Sequence, residues 1–212
     1  EKYHPSNLDF YSENYKKICD LDLKIFNSEN EKYTTLKRSS LIKFLKEKLL
    51  TNSLIFGKKI NTVEQKNGKT NINFTDGSLE EVDYLVVSDG VFSNSKSVIE
   101  NKIFKSIYYG ASAIRVQIKN QNIFNFNSNN ISLIMSSNSH LVVYPVNQSK
   151  ELNIVYVVRK DLENNEDIKQ VLNNKIFNEN KNLKNLLQGA PKSWPLYISS
   201  KPAQSIYKNI FY

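Results

Sequence analysis

The sequence predicts a mixed α/β chain, and three observations carry that prediction: one amphipathic stretch, two alternating runs about an Asn-Gly pair, and a dense group of strand-like runs after residue 106. The helix comes first. In RSSLIKFLKEKLL, Leu41, Phe44, Leu45, Lys48 and Leu49 fall at i, i+3, i+4, i+7 and i+8, with Ser39 and Ser40 near the start. That spacing predicts a helix of three turns or more opening at Arg38. KINTVEQ and TNINFT then alternate on either side of Asn67-Gly68, the pair a type I′ hairpin turn prefers because both residues tolerate positive φ. Asp76-Gly77 marks a second tight connection. Leu85, Val86 and Val87 follow without alternation, the pattern of a strand covered on both faces.

Beyond SVIENKIF the pattern changes. IYYGASAIRVQIKN, ISLIMSS, HLVVYPVN and ELNIVYVVRK read as strands, the last two joined by a polar turn through Asn147 to Lys150. They predict a mostly antiparallel sheet as a second architectural unit. Its flanking helices are DIKQVLNNKIF and NLKNLLQGAP, the second stopped by Gly189 and Pro191. Residues 1–32 read as strand and turn, 120–130 as an Asn-rich loop, and SWPLYISSKPAQSIYKNIFY closes on a new apolar strand.

With 212 residues and 40% hydrophobic content the chain can bury a core, and its 24% charged content with frequent Tyr and Phe argues against disorder. No apolar run approaches the roughly 20 residues that span a bilayer, so a soluble, cytoplasmic protein is expected. Cys19 stands alone, and His4 and His140 form no Cys/His cluster, which argues against disulfides and structural zinc. The net charge of +8 could point to nucleic acid. However, 26 of the 29 basic residues are Lys, 29 residues are Asn, and no basic run exceeds two, as expected of AT-rich coding and a solvated Lys-rich surface. Arg38, Arg115 and Arg159 therefore stand out as the three places where a forked donor is kept.

Few residues look like chemistry. There is no G-x-G-x-x-G, P-loop, G-x-S-x-G or H-E-x-x-H, and no evident Ser/His/Asp set. Arg38 heads its helix, where free N–H groups and the dipole favour an anion; it can equally cap the surface or pair with an acid. Asp89-Gly90 ends the LVVS strand, and ligands in open α/β sheets collect at carboxyl strand ends; the same pair also suits a plain turn. His140 and Tyr144 share a face of HLVVYPV, and Pro145 implies an edge or irregularity there.

In their order along residues 33–212, these stretches resemble the single-component FAD monooxygenases that hydroxylate aromatic rings, typified by p-hydroxybenzoate, salicylate and ubiquinone-pathway hydroxylases. RSSLIKFLKEKL is similar to the family's R-x-x-L-x-x-x-L helix, IFGKKINTVEQKNGKTNINFTDGS to its hairpin, and DYLVVSDGVFSNSK to its motif D-x-L-V-G-A-D-G-x-x-S-x-V-R. The later strands are similar to the substrate sheet, nearest the salicylate-hydroxylase-like branch. The resemblance implies part of a Rossmann-like FAD-binding domain over 33–106, a substrate sheet over 107–200 with 1–32 as further strands, and a return strand at 201–212. It implies FAD, NADH or NADPH as electron donor, O2, and a small aromatic substrate. Arg38 would contact the flavin, Ile60 the adenine through its backbone, Asp89 and Gly90 the pyrophosphate and the donor's path, and Arg115 and Tyr144 the substrate. No catalytic residue is implied.

Departures are visible. Val87 and Ser88 replace Gly-Ala, Ser95 an apolar residue, Lys96 the terminal Arg, and Ala111 a position where some members place a histidine base. The chain opens on Glu1 and has its only methionine at Met135. A longer protein is therefore expected, with G-x-G-x-x-G upstream and a G-D segment downstream; without them the piece should hold FAD poorly and be inactive. A non-catalytic binding domain that keeps the fold is the alternative.

Overall fold

The computed structural model describes residues 2–28, 31–50, 53–120, 126–162, 165–178, 180–189, 193–199 and 206–212. Its strands are β1 (Asn7–Ser12), β2 (Lys17–Asp22), β3 (Ile60–Lys66), β4 (Lys69–Phe74), β5 (Leu79–Val82), β6 (Leu85–Val86), β7 (Ser106–Lys119), β8 (Ile131–Met135), β9 (Ser139–Val146), β10 (Glu151–Val158), β11 (Ser193–Ser199), β12 (Ile206–Tyr207) and β13 (Ile210–Phe211). The helices are α1 (Arg38–Lys48), α2 (Ser95–Glu100), α3 (Asn165–Val171), α4 (Lys175–Asn178) and α5 (Lys181–Gln188). The fold is mixed α/β. The chain forms two compact units, one of residues 1–48 and 110–196, the other of 49–109 and 197–212.

The first unit is built on a seven-stranded sheet in the order β11-β7-β10-β9-β8-β1-β2. From β7 to β8 and between β1 and β2 the neighbours are antiparallel, whereas β1 and β8 run parallel. Strict alternation along β10 puts Leu152, Ile154, Tyr156 and Val158 on the buried face and Glu151, Asn153, Val155 and Val157 on the open one. The buried face packs on Leu172, Ile176, Phe177, Leu183 and Leu187 from the helical segment. Tyr156 is fully buried, so its hydroxyl needs partners: it accepts from Asn174 Nδ2 at 2.6 Å and donates to the Val171 carbonyl at 3.2 Å. The first predicted helix divides here into α3 and α4, with the Asn174 side chain capping the start of α4 by accepting from Ile176 N. In α5, Asn180 accepts from Leu183 N, and Gly189 ends the helix with φ −80, without a left-handed cap. Pro191, the other predicted stop, lies outside the described residues, as do 121–125 of the Asn-rich loop and 201–205 of the closing segment.

Helix α1 opens at Arg38, as its periodicity predicts, and clusters with the sheet unit. The segment ahead of it explains why. Tyr3 and Thr35 pair through two backbone hydrogen bonds, Thr35 Oγ1 donates to the Pro145 carbonyl at 2.5 Å, and Lys37 Nζ lies 2.7 Å from Glu151. Pro145 sits within an interior strand, not at a sheet edge; pairing of β9 with β8 has ended at Val143, so no ladder bond is lost to its missing N–H on that side.

In the second unit β3, β4 and β5 form a meander, and β12-β13-β6 a small sheet in which β6 and β13 are parallel. Asn67 and Gly68 have φ +53 and +74, the predicted type I′ geometry. The expectation that Leu85–Val87 are covered on both faces is corrected: β6 is two residues long, and Val86 is 68% exposed. An unbroken apolar run specifies a strand able to be buried, but burial needs partners, and among the described residues β6 has one neighbouring strand, β13.

Candidate functional site

Strand β6 delivers Asp89 to a loop. Val87 N donates to the Phe211 carbonyl at 2.8 Å, and the chain then turns through Gly90, whose carbonyl accepts from Ser93 N at 3.0 Å. Gly90 has φ +80, a left-handed conformation that side chains disfavour, and open space lies where a Cβ would stand. Asp89 Oδ2 accepts from Ser95 N at 3.4 Å, at the start of α2. Partial burial pushes the Asp89 carboxyl up, but hydrogen bonds from the Ser93 and Ser95 hydroxyls and the Ser95 N–H outweigh it and hold the group below its ordinary value.

Around this loop lies a cleft of about 570 Å³, lined by Val87–Val91, Ser93, Lys96, Phe104, Lys105, Tyr197, Ile198, Ser199 and Tyr212. Lys96 is only 8% exposed. Its Nζ lies 4.2 Å from the centroid of the Phe104 ring and 5.4 Å from that of Tyr212, so two aromatic faces hold its charge. It pairs with no carboxylate among the described residues. The Tyr212 phenol is pushed up to about 12, first by burial and then by the neighbouring Glu100 carboxylate. Tyr197 packs edge-on against Phe92 and Tyr108, with centroids 5.1 and 6.0 Å apart.

Asp89 and Gly90 thus lie together in the cleft. Ile60 opens β3 and does not line it. Arg38, Arg115 and Tyr144 belong to the sheet unit. Arg38 is exposed at the head of α1 and pairs with no acid among the described residues. Arg115 and Tyr144 share the open face of the sheet: Arg115 stands opposite Val155, which stands opposite Val142, while Tyr144 stands opposite Asn153. Tyr144 Oη accepts from Asn153 Nδ2 at 2.5 Å, which leaves its O–H free to donate outward. Sequence reading placed Lys96 only as a departure from a motif and did not point to Tyr197, Ser199 or Tyr212. These three come from the closing segment, and no local pattern links them to Asp89.

The whole chain has the fold of known flavoprotein hydroxylases. It superposes on Klebsiella pneumoniae HpxO, crystallised with FAD and uric acid, with TM-score 0.81 and 12% identity over 99% of this chain and 56% of that one. A salicylate hydroxylase in a substrate complex gives 0.77 and 15% over 99% and 58%. The 2,6-dihydroxypyridine-3-hydroxylase of Arthrobacter nicotinovorans gives 0.73 and 12% over 99% and 60%. The chain thus spans little more than half the length of these proteins, and the likeness is one of fold. No family pattern and no curated protein matches it in sequence. Among the described residues no helix is long and apolar enough to cross a membrane.

Proposed function

We propose that this chain forms part of a monooxygenase that uses FAD, NADH or NADPH, and O2 to hydroxylate a small aromatic substrate. The observation that carries the reading is the Asp89-Gly90 loop at the carboxyl end of β6, lining a cleft in a chain whose fold is shared with hydroxylases of which HpxO was crystallised with FAD. The residues present suit part of a dinucleotide. Asp89 offers an acceptor for hydroxyls, Gly90 lets a ligand approach the backbone, and Lys96 supplies a positive charge without a carboxylate partner among the described residues. Arg38 would hold the flavin and the backbone at Ile60 the adenine.

FAD, when bound, supplies the redox chemistry that activates O2. The chain's own part is positional. Arg115 and Tyr144 orient the ring on the open sheet face, and the apolar residues between them keep water from the reacting edge. A non-catalytic domain keeping this fold is the second reading, favoured by one observation: the Asp89 carboxylate already accepts from its own loop.

The test uses the protein as its gene encodes it, purified and assayed for NADH and NADPH oxidation with and without aromatic acids, hydroxypyridines and phenols. Oxidation stimulated several-fold by one ring class is expected. Bound flavin with no stimulation by any ring, or absence of bound flavin, would overturn the monooxygenase reading and support the non-catalytic one.

A further inference from the structure

No residue of α1 is buried, so apolar packing does little to fix that helix, and it is tied to the sheet at its head. Lys37, the residue before it, makes two connections. Its carbonyl accepts the first helical hydrogen bond, from Leu41 N at 3.1 Å, and its Nζ lies 2.7 Å from Glu151 Oε1 at the start of β10. Both side chains are half-buried, where salt screens a charge pair less than on an open surface. Glu151 is held from two further directions: Oε1 accepts from Asn147 Nδ2 at 2.6 Å, in the β9–β10 turn, and Oε2 accepts from Gln117 Nε2 of β7. Lys37 first, then Asn147 and Gln117, outweigh burial and hold the Glu151 carboxyl below its ordinary value, so it is charged at neutral pH.

One carboxylate thus joins β7, the β9–β10 turn and the head of α1, all within the sheet unit. Arg38 follows Lys37 directly, is exposed, and pairs with no acid among the described residues. No acid holds its guanidinium, so its aim depends on the backbone beneath it. A side chain that grips a ligand needs its support held to within about 0.5 Å. The Lys37–Glu151 pair supplies that constraint one residue away; the next tie, from the Thr35 hydroxyl to the Pro145 carbonyl, lies further back along the chain.

We propose that Glu151 is a positioning residue for cofactor binding: by holding Lys37 it fixes the head of α1 and aims the Arg38 guanidinium at the flavin. The assignment rests on the reading above that Arg38 holds the flavin. The test uses the protein as its gene encodes it and the variant Lys37→Met, which removes the charge and leaves Glu151 its bonds to Asn147 and Gln117. Without flavin, the α1 amides of Lys37→Met and of Glu151→Gln should exchange hydrogen about three-fold faster or more than those of the unaltered protein, with the β10 amides unchanged. FAD affinity, followed by fluorescence quenching, should fall about three- to ten-fold in Lys37→Met and stay near the original in Lys37→Arg. In an Arg38→Gln background, Lys37→Met should have no further effect, because the tie acts through Arg38. Unchanged α1 exchange, or a loss of affinity that is the same with and without Arg38, would overturn the proposal. Absence of bound FAD in the unaltered protein would overturn the flavin reading and the proposal with it, whereas bound FAD that none of these variants weakens would overturn the proposal alone.

Discussion

Asp89 illustrates how one residue can be both turn and site. Its hydrogen bonds to Ser93 and Ser95 order the loop ahead of α2, and the same carboxylate lines the cleft. Asp89→Ala should therefore cost about 0.5–1 kcal/mol of stability, measurable by urea denaturation. A larger cost would mean that the loop depends on it for folding. Tyr212 gives a sharper test, because its phenol ionises late. Its folded value of about 12 is raised above the ordinary 10.0, so the stabilisation tied to the neutral phenol is fully present below pH 10.0 and is lost as pH rises through about 12. A difference ultraviolet titration between the chain and Tyr212→Phe should show a phenol ionising near 12; ionisation near 10 would contradict the buried environment. Asp89 was legible because Asp-Gly after an apolar run is a local pattern. Lys96 and Tyr212 were not, because their meeting depends on where α2 and β13 come to lie.

Helices α1 and α5 carry similar apolar spacing and meet different fates. Leu183 and Leu187 of α5 are fully buried against the sheet, whereas Leu45 of α1 is 53% exposed and no residue of α1 is buried. Periodicity specifies a helix with an apolar stripe; it says nothing about which surface the stripe meets. Leu187→Ala should cost about 2–5 kcal/mol by urea denaturation, and Leu45→Ala of the same chain less than about 1 kcal/mol. Comparable losses would show that α1 is packed. The β3–β4 hairpin was readable to its turn type because Asn67-Gly68 sets register locally. The burial of β6 was misread because LVV records an affinity for cover without naming its source.

For the molecule as a whole, the order of elements and their hairpins were legible, and the long-range pairing was not. Nothing local announces that β1 lies parallel to β8, or that β13 pairs with β6 some 125 residues away, because such contacts are fixed by long-range packing. What sequence order did carry was the likeness in fold, and that likeness spans the entire chain. We propose that the Asp89-Gly90 cleft belongs to a flavin site. The decisive measurement is FAD affinity in the gene-encoded protein and in its Asp89→Ala variant. Bound FAD is expected in the first, with affinity weakened about ten-fold or more in the second, the loss of one charge-assisted hydrogen bond. Equal affinity in both, or no FAD in either, would rule the flavin site out.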